Sequence, residues 1–91
     1  MTAELIQKEQ LNEIEFVANT IANPKEKSEL MQKLKKWETL GNGFKNKCKI
    51  YFNDISGIKV LETTIWMVSN EYVNLKGGLT IPVNSIVDVE F

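Results

Sequence analysis

The residues best suited to chemistry in this sequence are lysines that recur in its middle third. Lys45, Lys47 and Lys49 alternate at the start of one predicted strand, Tyr51 follows two residues later, and Lys59 lies on the next strand. Alternating residues share one face of a strand, so these side chains would form a basic surface with an aromatic ring. Proteins that bind single-stranded nucleic acid combine a positive groove with rings on which bases stack. The pattern therefore predicts a candidate nucleic-acid surface.

The distribution of charge leaves two interpretations of these lysines open. Residues 25–59 hold nine lysines against four acidic residues, a net charge of +5, although the whole chain has a net charge of -1. Further lysines give the second predicted helix a basic face: Lys25, Lys33, Lys35 and Lys36. The alternative is that each lysine keeps the surface soluble or protects a sheet edge from unwanted pairing. The overall acidity predicts no long-range attraction to nucleic acid or to anionic lipid.

The other reactive side chains predict neither catalysis nor metal binding. The chain has no histidine and one cysteine, Cys48, so a structural zinc site cannot be built within one chain. No imidazole is present to activate Cys48, which fits a buried, inert thiol on an alternating strand. We therefore expect no enzyme, no catalytic residue, no cofactor and no metal site. A lone cysteine and the lack of an apolar run of about 18 residues favour a cytoplasmic protein without a membrane partner.

The last third of the chain is rich in β-branched and aromatic residues, which favour strands. Gly77-Gly78 is typical of a hairpin turn, and Pro82 restricts its strand to an edge. Both faces are apolar near Ile65–Val68, so we expect that end of the strand to be covered on both sides. Trp66 takes a core position if its strand alternates strictly, and is otherwise an interface anchor. Five strands are predicted, at residues 46–53, 58–68, 72–76, 79–83 and 86–91.

The first half of the chain predicts two helices. Apolar residues at helical spacing indicate one helix from Thr2 to about Ala22 and a second from Pro24 to about Leu40, which Gly41-Asn42-Gly43 would end. Leu5 and Phe16 fall on a second face of the first helix. They are either isolated surface residues, a contact of Phe16 with the sheet, or part of a surface that meets a partner subunit. The candidate interface residues are accordingly Leu5, Phe16 and Trp66.

These elements predict an α+β fold in a single domain, residues 1–91. An N-terminal two-helix hairpin (1–43) would pack on a C-terminal five-stranded antiparallel, strongly bent sheet or small β-barrel (44–91). The segment N-E-Y-V-N-L-K-G-G-L-T-I-P-V-N-S-I-V-D-V resembles the SH3-like and Sm-like small barrels, over residues 46–91. The resemblance implies a barrel of a type that often binds other proteins.

The function expected from the sequence is a non-catalytic binding or assembly module. Its partner would be a second copy of the chain, giving a homo-oligomer, or another protein, because apolar residues remain outside the predicted core. The alternative is a single-stranded RNA-binding protein that uses the lysine-rich middle of the chain.

Overall fold

A computed structural model describes residues 3–18, 23–44 and 46–90. These residues form one α-helix, two short 3₁₀ helices (Lys8–Glu13 and Val83–Ser85) and seven strands. The helix is α1 (Pro24–Phe44), and the strands are β1 (Glu4–Leu5), β2 (Cys48–Asp54), β3 (Gly57–Thr63), β4 (Ile65–Val68), β5 (Tyr72–Leu75), β6 (Thr80–Pro82) and β7 (Ile86–Glu90). The class is α+β, but the predicted two-helix hairpin is wrong. The predicted five-stranded antiparallel sheet or barrel is also wrong, because the strands lie in two separate sheets.

The predicted first helix is replaced by extended chain and one 3₁₀ helix over residues 3–18, and its last residues, 19–22, lie outside the described ranges. β1 pairs in parallel with β3, and the Ile6 amide donates a 2.9 Å hydrogen bond to the Val60 carbonyl oxygen. The Val17 amide donates to the Asn53 carbonyl oxygen at 3.1 Å. The segment forms hydrogen bonds with the edge of the sheet and still buries Ile6 and Leu11. Tertiary pairing therefore overrides its helix propensity.

The second predicted helix is present as α1, and its start follows from the sequence. The Asn23 side chain accepts a 2.9 Å hydrogen bond from the Lys25 amide, and Pro24 occupies the first helical position. Its buried stripe contains Leu30, Leu34 and Trp37.

The end of α1 was predicted wrongly, because the helix runs through Gly41-Asn42-Gly43 to Phe44. A Cβ at position 41 would overlap the Ile65 carbonyl oxygen, so the missing side chain serves a close helix–strand approach. The Asn42 side chain donates to the Trp66 carbonyl oxygen at 2.8 Å. Gly41 and Asn42 are of residue types that usually end a helix, but here they allow α1 to pack against β4.

Two sheets share the strands, in the orders β1-β3-β2-β7 and β4-β5-β6. The predicted long strand 58–68 is divided at Thr64, so β3 belongs to the first sheet and β4 to the second. The two sheets do not close into a barrel. One hydrophobic core lies between them and α1, and its most deeply buried side chains include Phe52, Leu34, Ile50, Leu61, Ile65, Leu75 and Ile81.

An irregularity in the pairing of β4 with β5 changes which side chains face solvent. Ile65 pairs with Leu75 and Met67 with Asn74, so one extra residue, Trp66, is accommodated as a β-bulge. Ile65 and Val68 are buried, whereas Trp66 and Met67 are both exposed. The prediction that this stretch is covered on both faces is therefore wrong.

Among the described residues, no helix is long and apolar enough to cross a membrane.

Candidate functional site

The predicted nucleic-acid surface is divided between the two faces of the first sheet. Lys47, Lys49 and Tyr51 line an open groove of about 600 Å³ on its outer face. Lys59 pairs across the strands with Phe52, whose side chain is in the core, so it belongs to the other face. Its ammonium lies 2.9 Å from the Glu4 carboxylate. Lys45, the fifth candidate, lies outside the described residues.

The charge of Lys49 in this groove is balanced by carboxylates. Across the strands, Lys49 lies opposite Glu62 on one side and Glu90 on the other. The Tyr51 hydroxyl donates a 2.6 Å hydrogen bond to Glu90, and this bond, helped by the charges of Glu90 and Asp88, raises the pKa of Tyr51. The ring that was predicted to stack on bases is thus held by an acidic neighbour. Lys49 and Tyr51 therefore each have acidic neighbours that compete with a phosphate backbone.

Two of the four lysines of the predicted basic helix face, Lys33 and Lys35, join α1 to the strands instead of forming a free surface. Lys33 forms a 3.0 Å ion pair with Asp88 on β7, and the Lys35 ammonium donates to the Val68 carbonyl oxygen at 2.9 Å. Lys27 donates to the Asn84 side chain at 3.1 Å. These contacts occupy part of the charge of α1 within the fold.

The three candidate interface residues lie in different environments. Leu5 is 62% exposed on the outer face of the first sheet, opposite Val60. Phe16 is half-buried, and its ring centroid lies 5.5 Å from that of Phe52, so it packs on the sheet. Trp66 is 49% exposed. Because residues 3–18 do not form the predicted helix, Leu5 and Phe16 do not share its predicted second apolar face.

The outer face of the second sheet is the apolar surface that the sequence analysis missed. Met67 and Tyr72 are 57% and 48% exposed there, and Trp66 lies at the margin. No residue of β4, β5 or β6 is charged, although 25% of the whole chain is. The signal in the sequence is the uncharged composition of these strands.

A second residue that the sequence analysis missed is Asp54, a buried carboxylate at the end of β2. It accepts hydrogen bonds from the Ser56 hydroxyl at 2.6 Å and from the Glu15 amide at 2.8 Å. These bonds, the one from the Ser56 hydroxyl foremost, lower the pKa of Asp54. Asp54 therefore joins the N-terminal segment to the β2–β3 turn, which is a structural role.

The thiol of Cys48 lies in the core, where burial raises its pKa to about 12. At neutral pH the group is therefore a protonated thiol, which is a poor nucleophile and a poor metal ligand. Among residues 3–18, 23–44 and 46–90, no three His, Cys, Asp or Glu side chains converge as they would to hold a metal ion.

Comparison with known proteins adds no assignment to this geometry. The chain matches no family model, no curated protein and no solved structure. The resemblance to SH3-like and Sm-like barrels stays a prediction.

Proposed function

We propose that the protein is a non-catalytic binding module that self-associates through the outer face of its second sheet. The observation that carries the proposal is the exposure of Met67 and Tyr72 on a sheet whose strands contain no charged residue. Interface cores are depleted of charged residues and enriched in aromatic residues and methionine. The composition of this face therefore fits a surface that a protein partner covers.

The lack of charge also favours a second copy of the chain as the partner. Most homodimers are related by a two-fold axis, which brings the same surface patch of both subunits together. A charged patch would then place like charges side by side, at an energetic cost. The outward residues of the second sheet, among them Asn74 and Thr80, carry no charge and can meet their own copies without repulsion.

Sedimentation equilibrium over micromolar to high micromolar concentration tests the proposal. We expect wild-type protein to associate and a Met67→Lys/Tyr72→Lys variant to remain monomeric, because each lysine places a charge in the centre of the face. Ile55→Lys is the matched control, since Ile55 is 72% exposed in the β2–β3 turn, on the other sheet. A wild-type protein that is strictly monomeric at high micromolar concentration would contradict self-association.

The alternative function, single-stranded RNA binding through the lysine-rich middle, has less support in its original form. Of its five residues, Lys59 is paired with Glu4 and Tyr51 is hydrogen-bonded to Glu90. A third, Lys49, lies between Glu62 and Glu90 on the neighbouring strands.

A further inference from the structure

An open cleft of about 440 Å³ lies beside Trp66, where the two sheets meet. Its walls carry three lysines from distant parts of the chain, Lys8, Lys47 and Lys76, together with the half-exposed indole of Trp66. The cleft also contains one carboxylate, that of Glu62. Among the four ionic groups the net charge is therefore positive, in a protein whose total charge is -1.

The backbone around the cleft is fixed by hydrogen bonds. Lys8 begins the first 3₁₀ helix, and Lys47 directly precedes β2. The Lys76 amide donates to the Thr64 carbonyl oxygen at 3.0 Å, and the Trp66 carbonyl oxygen accepts a 2.8 Å bond from Asn42. The fold therefore brings the backbone of these four residues to the edge of one cleft.

The three lysines of the cleft differ from Lys33 and Lys59 because they form no ion pair among the described residues. Lys33 and Lys59 each lie within 3.0 Å of a carboxylate. Within the part of the chain that the structure describes, the only ion pairs join other lysines, so none involves the three in the cleft. The nearby Glu62 lies opposite Lys49 on the neighbouring strand, which reduces its ability to balance the cleft. An excess of positive charge in a cleft favours an anionic ligand.

We propose that this cleft binds single-stranded nucleic acid, with a base stacked on Trp66 and adjacent phosphates on Lys8, Lys47 and Lys76. A half-exposed indole gives a flat apolar face of the kind on which any base can stack. Lysine contacts phosphate as a point charge without the fixed fork of arginine, so binding depends little on sequence. The proposal does not rest on self-association, because its lysines lie outside the uncharged face.

The number of lysines sets the salt dependence of binding. Each phosphate neutralised on a single strand contributes about −0.7 to the slope of log K against log salt, so three lysines predict a slope of about −2. Loss of the stacked base is expected to weaken binding by about 5- to 150-fold. Because binding of this kind weakens as salt increases, titrations should be carried out at about 50 mM salt.

Fluorescence anisotropy with labelled oligouridine, oligothymidine and an abasic oligonucleotide of the same length tests the proposal. We expect both base-containing strands to bind, and the abasic strand to bind more weakly because it carries phosphates and no bases. Trp66→Ala should weaken the first two to the level of the abasic strand and leave the abasic strand unchanged. Circular dichroism confirms that the variant folds, and Trp66→Phe, which keeps a ring, should restore part of the affinity.

The lysines are tested separately with paired neutral variants. Lys47→Gln/Lys76→Gln should reduce the salt slope by about 1.4, because two phosphate contacts are lost. Lys25→Gln/Lys36→Gln, which removes the same charge from exposed positions on α1, should leave the slope unchanged. Absence of binding at about 50 mM salt, equal loss in both lysine pairs, or equal binding of the abasic strand would overturn the proposal. So would equal binding of a polyglutamate peptide, which would assign the cleft to acidic peptides.

Discussion

Replacement of Gly41 by alanine tests the contact on which the arrangement of α1 depends, and Gly43→Ala is its matched control. Both residues lie in the last turns of α1, where alanine favours a helix over glycine by about 1 kcal/mol. A Cβ at Gly43 has no heavy atom within 4 Å. A Cβ at Gly41 would overlap the Ile65 carbonyl oxygen and lie 3.1 Å from Cγ2 of Thr64. The two substitutions should therefore have opposite effects on stability.

The overlap at Gly41 involves a backbone atom, so no side-chain rotation relieves it and α1 must move away from β4. Overpacking of this kind costs about 1–3 kcal/mol. Movement of α1 also endangers the Asn42–Trp66 hydrogen bond, which contributes about 1 kcal/mol. The gain in helix propensity offsets about 1 kcal/mol. We expect Gly41→Ala to lower the free energy of unfolding by about 1–3 kcal/mol, and Gly43→Ala to raise it by up to about 1 kcal/mol.

Urea unfolding, followed by circular dichroism and by tryptophan fluorescence, measures both variants. In a domain of this size about 1 kcal/mol corresponds to a shift in Tm of about 4–8 °C, so thermal unfolding resolves the difference as well. If Gly41→Ala is as stable as Gly43→Ala, then α1 does not lie against β4 and the reasoning is refuted. If both variants lose stability equally, the glycines matter for their backbone conformation and not for the close approach.

Two further predictions concern stability. Trp66→Ala should lower the free energy of unfolding by less than about 1 kcal/mol because half of the side chain is exposed. Trp37→Ala should lower it by about 3–5 kcal/mol, because only 8% of Trp37 is exposed. Urea unfolding measures both variants, and similar losses of stability would contradict the difference in burial. The lowered pKa of Asp54 means that its contribution to stability is complete above its ordinary value of 3.8 and is lost as pH falls through the lower, folded value. Asp54→Asn should therefore lose less stability than wild type between about pH 5 and the acid limit, as measured by unfolding at each pH.

The sequence was sufficient to predict the start of α1 and most strands, because local signals determine them. Asn23 and Pro24 mark a helix start through their own backbone chemistry, and Gly77-Gly78 marks a turn through its positive φ angles. The first helix could not be excluded in this way, because the spacing of Ile6 and Leu11 suits either conformation. What decided against it was the unpaired edge of β3, which appears only once the sheet has formed.

The candidate site was harder to predict because it depends on distant pairing. The bulge at Trp66 is a shift in the pairing register of β4 and β5, and the sequence of β4 alone does not indicate it. Strict alternation placed Trp66 and Val68 on one face, but the bulge separates them, so that Val68 is buried and Trp66 is exposed. Lys8 and Lys76 were not grouped with Lys47 because the three are separated by long stretches of sequence, and only the meeting of the two sheets brings them to one cleft.

The protection of the sheet edges explains why a partner would bind the faces of the sheets. An unpaired strand edge is a template for another strand, and natural proteins cover, shorten or interrupt such edges. The free edge of β4 is covered by α1, since the Val68 amide donates to the Glu38 carboxylate at 2.5 Å and the Val68 carbonyl oxygen accepts from Lys35.

The other described edges are limited in the same way. β6 has three residues and ends in Pro82, β1 has two residues, and β7 is joined to α1 through the Lys33–Asp88 ion pair. Strand addition is thus restricted at each of these edges. A partner is left with the side chains of the outer faces, where the uncharged surface around Met67 and the basic cleft beside Trp66 differ most in chemistry. For this reason we assign the two proposed contacts to faces of the sheets and not to their edges.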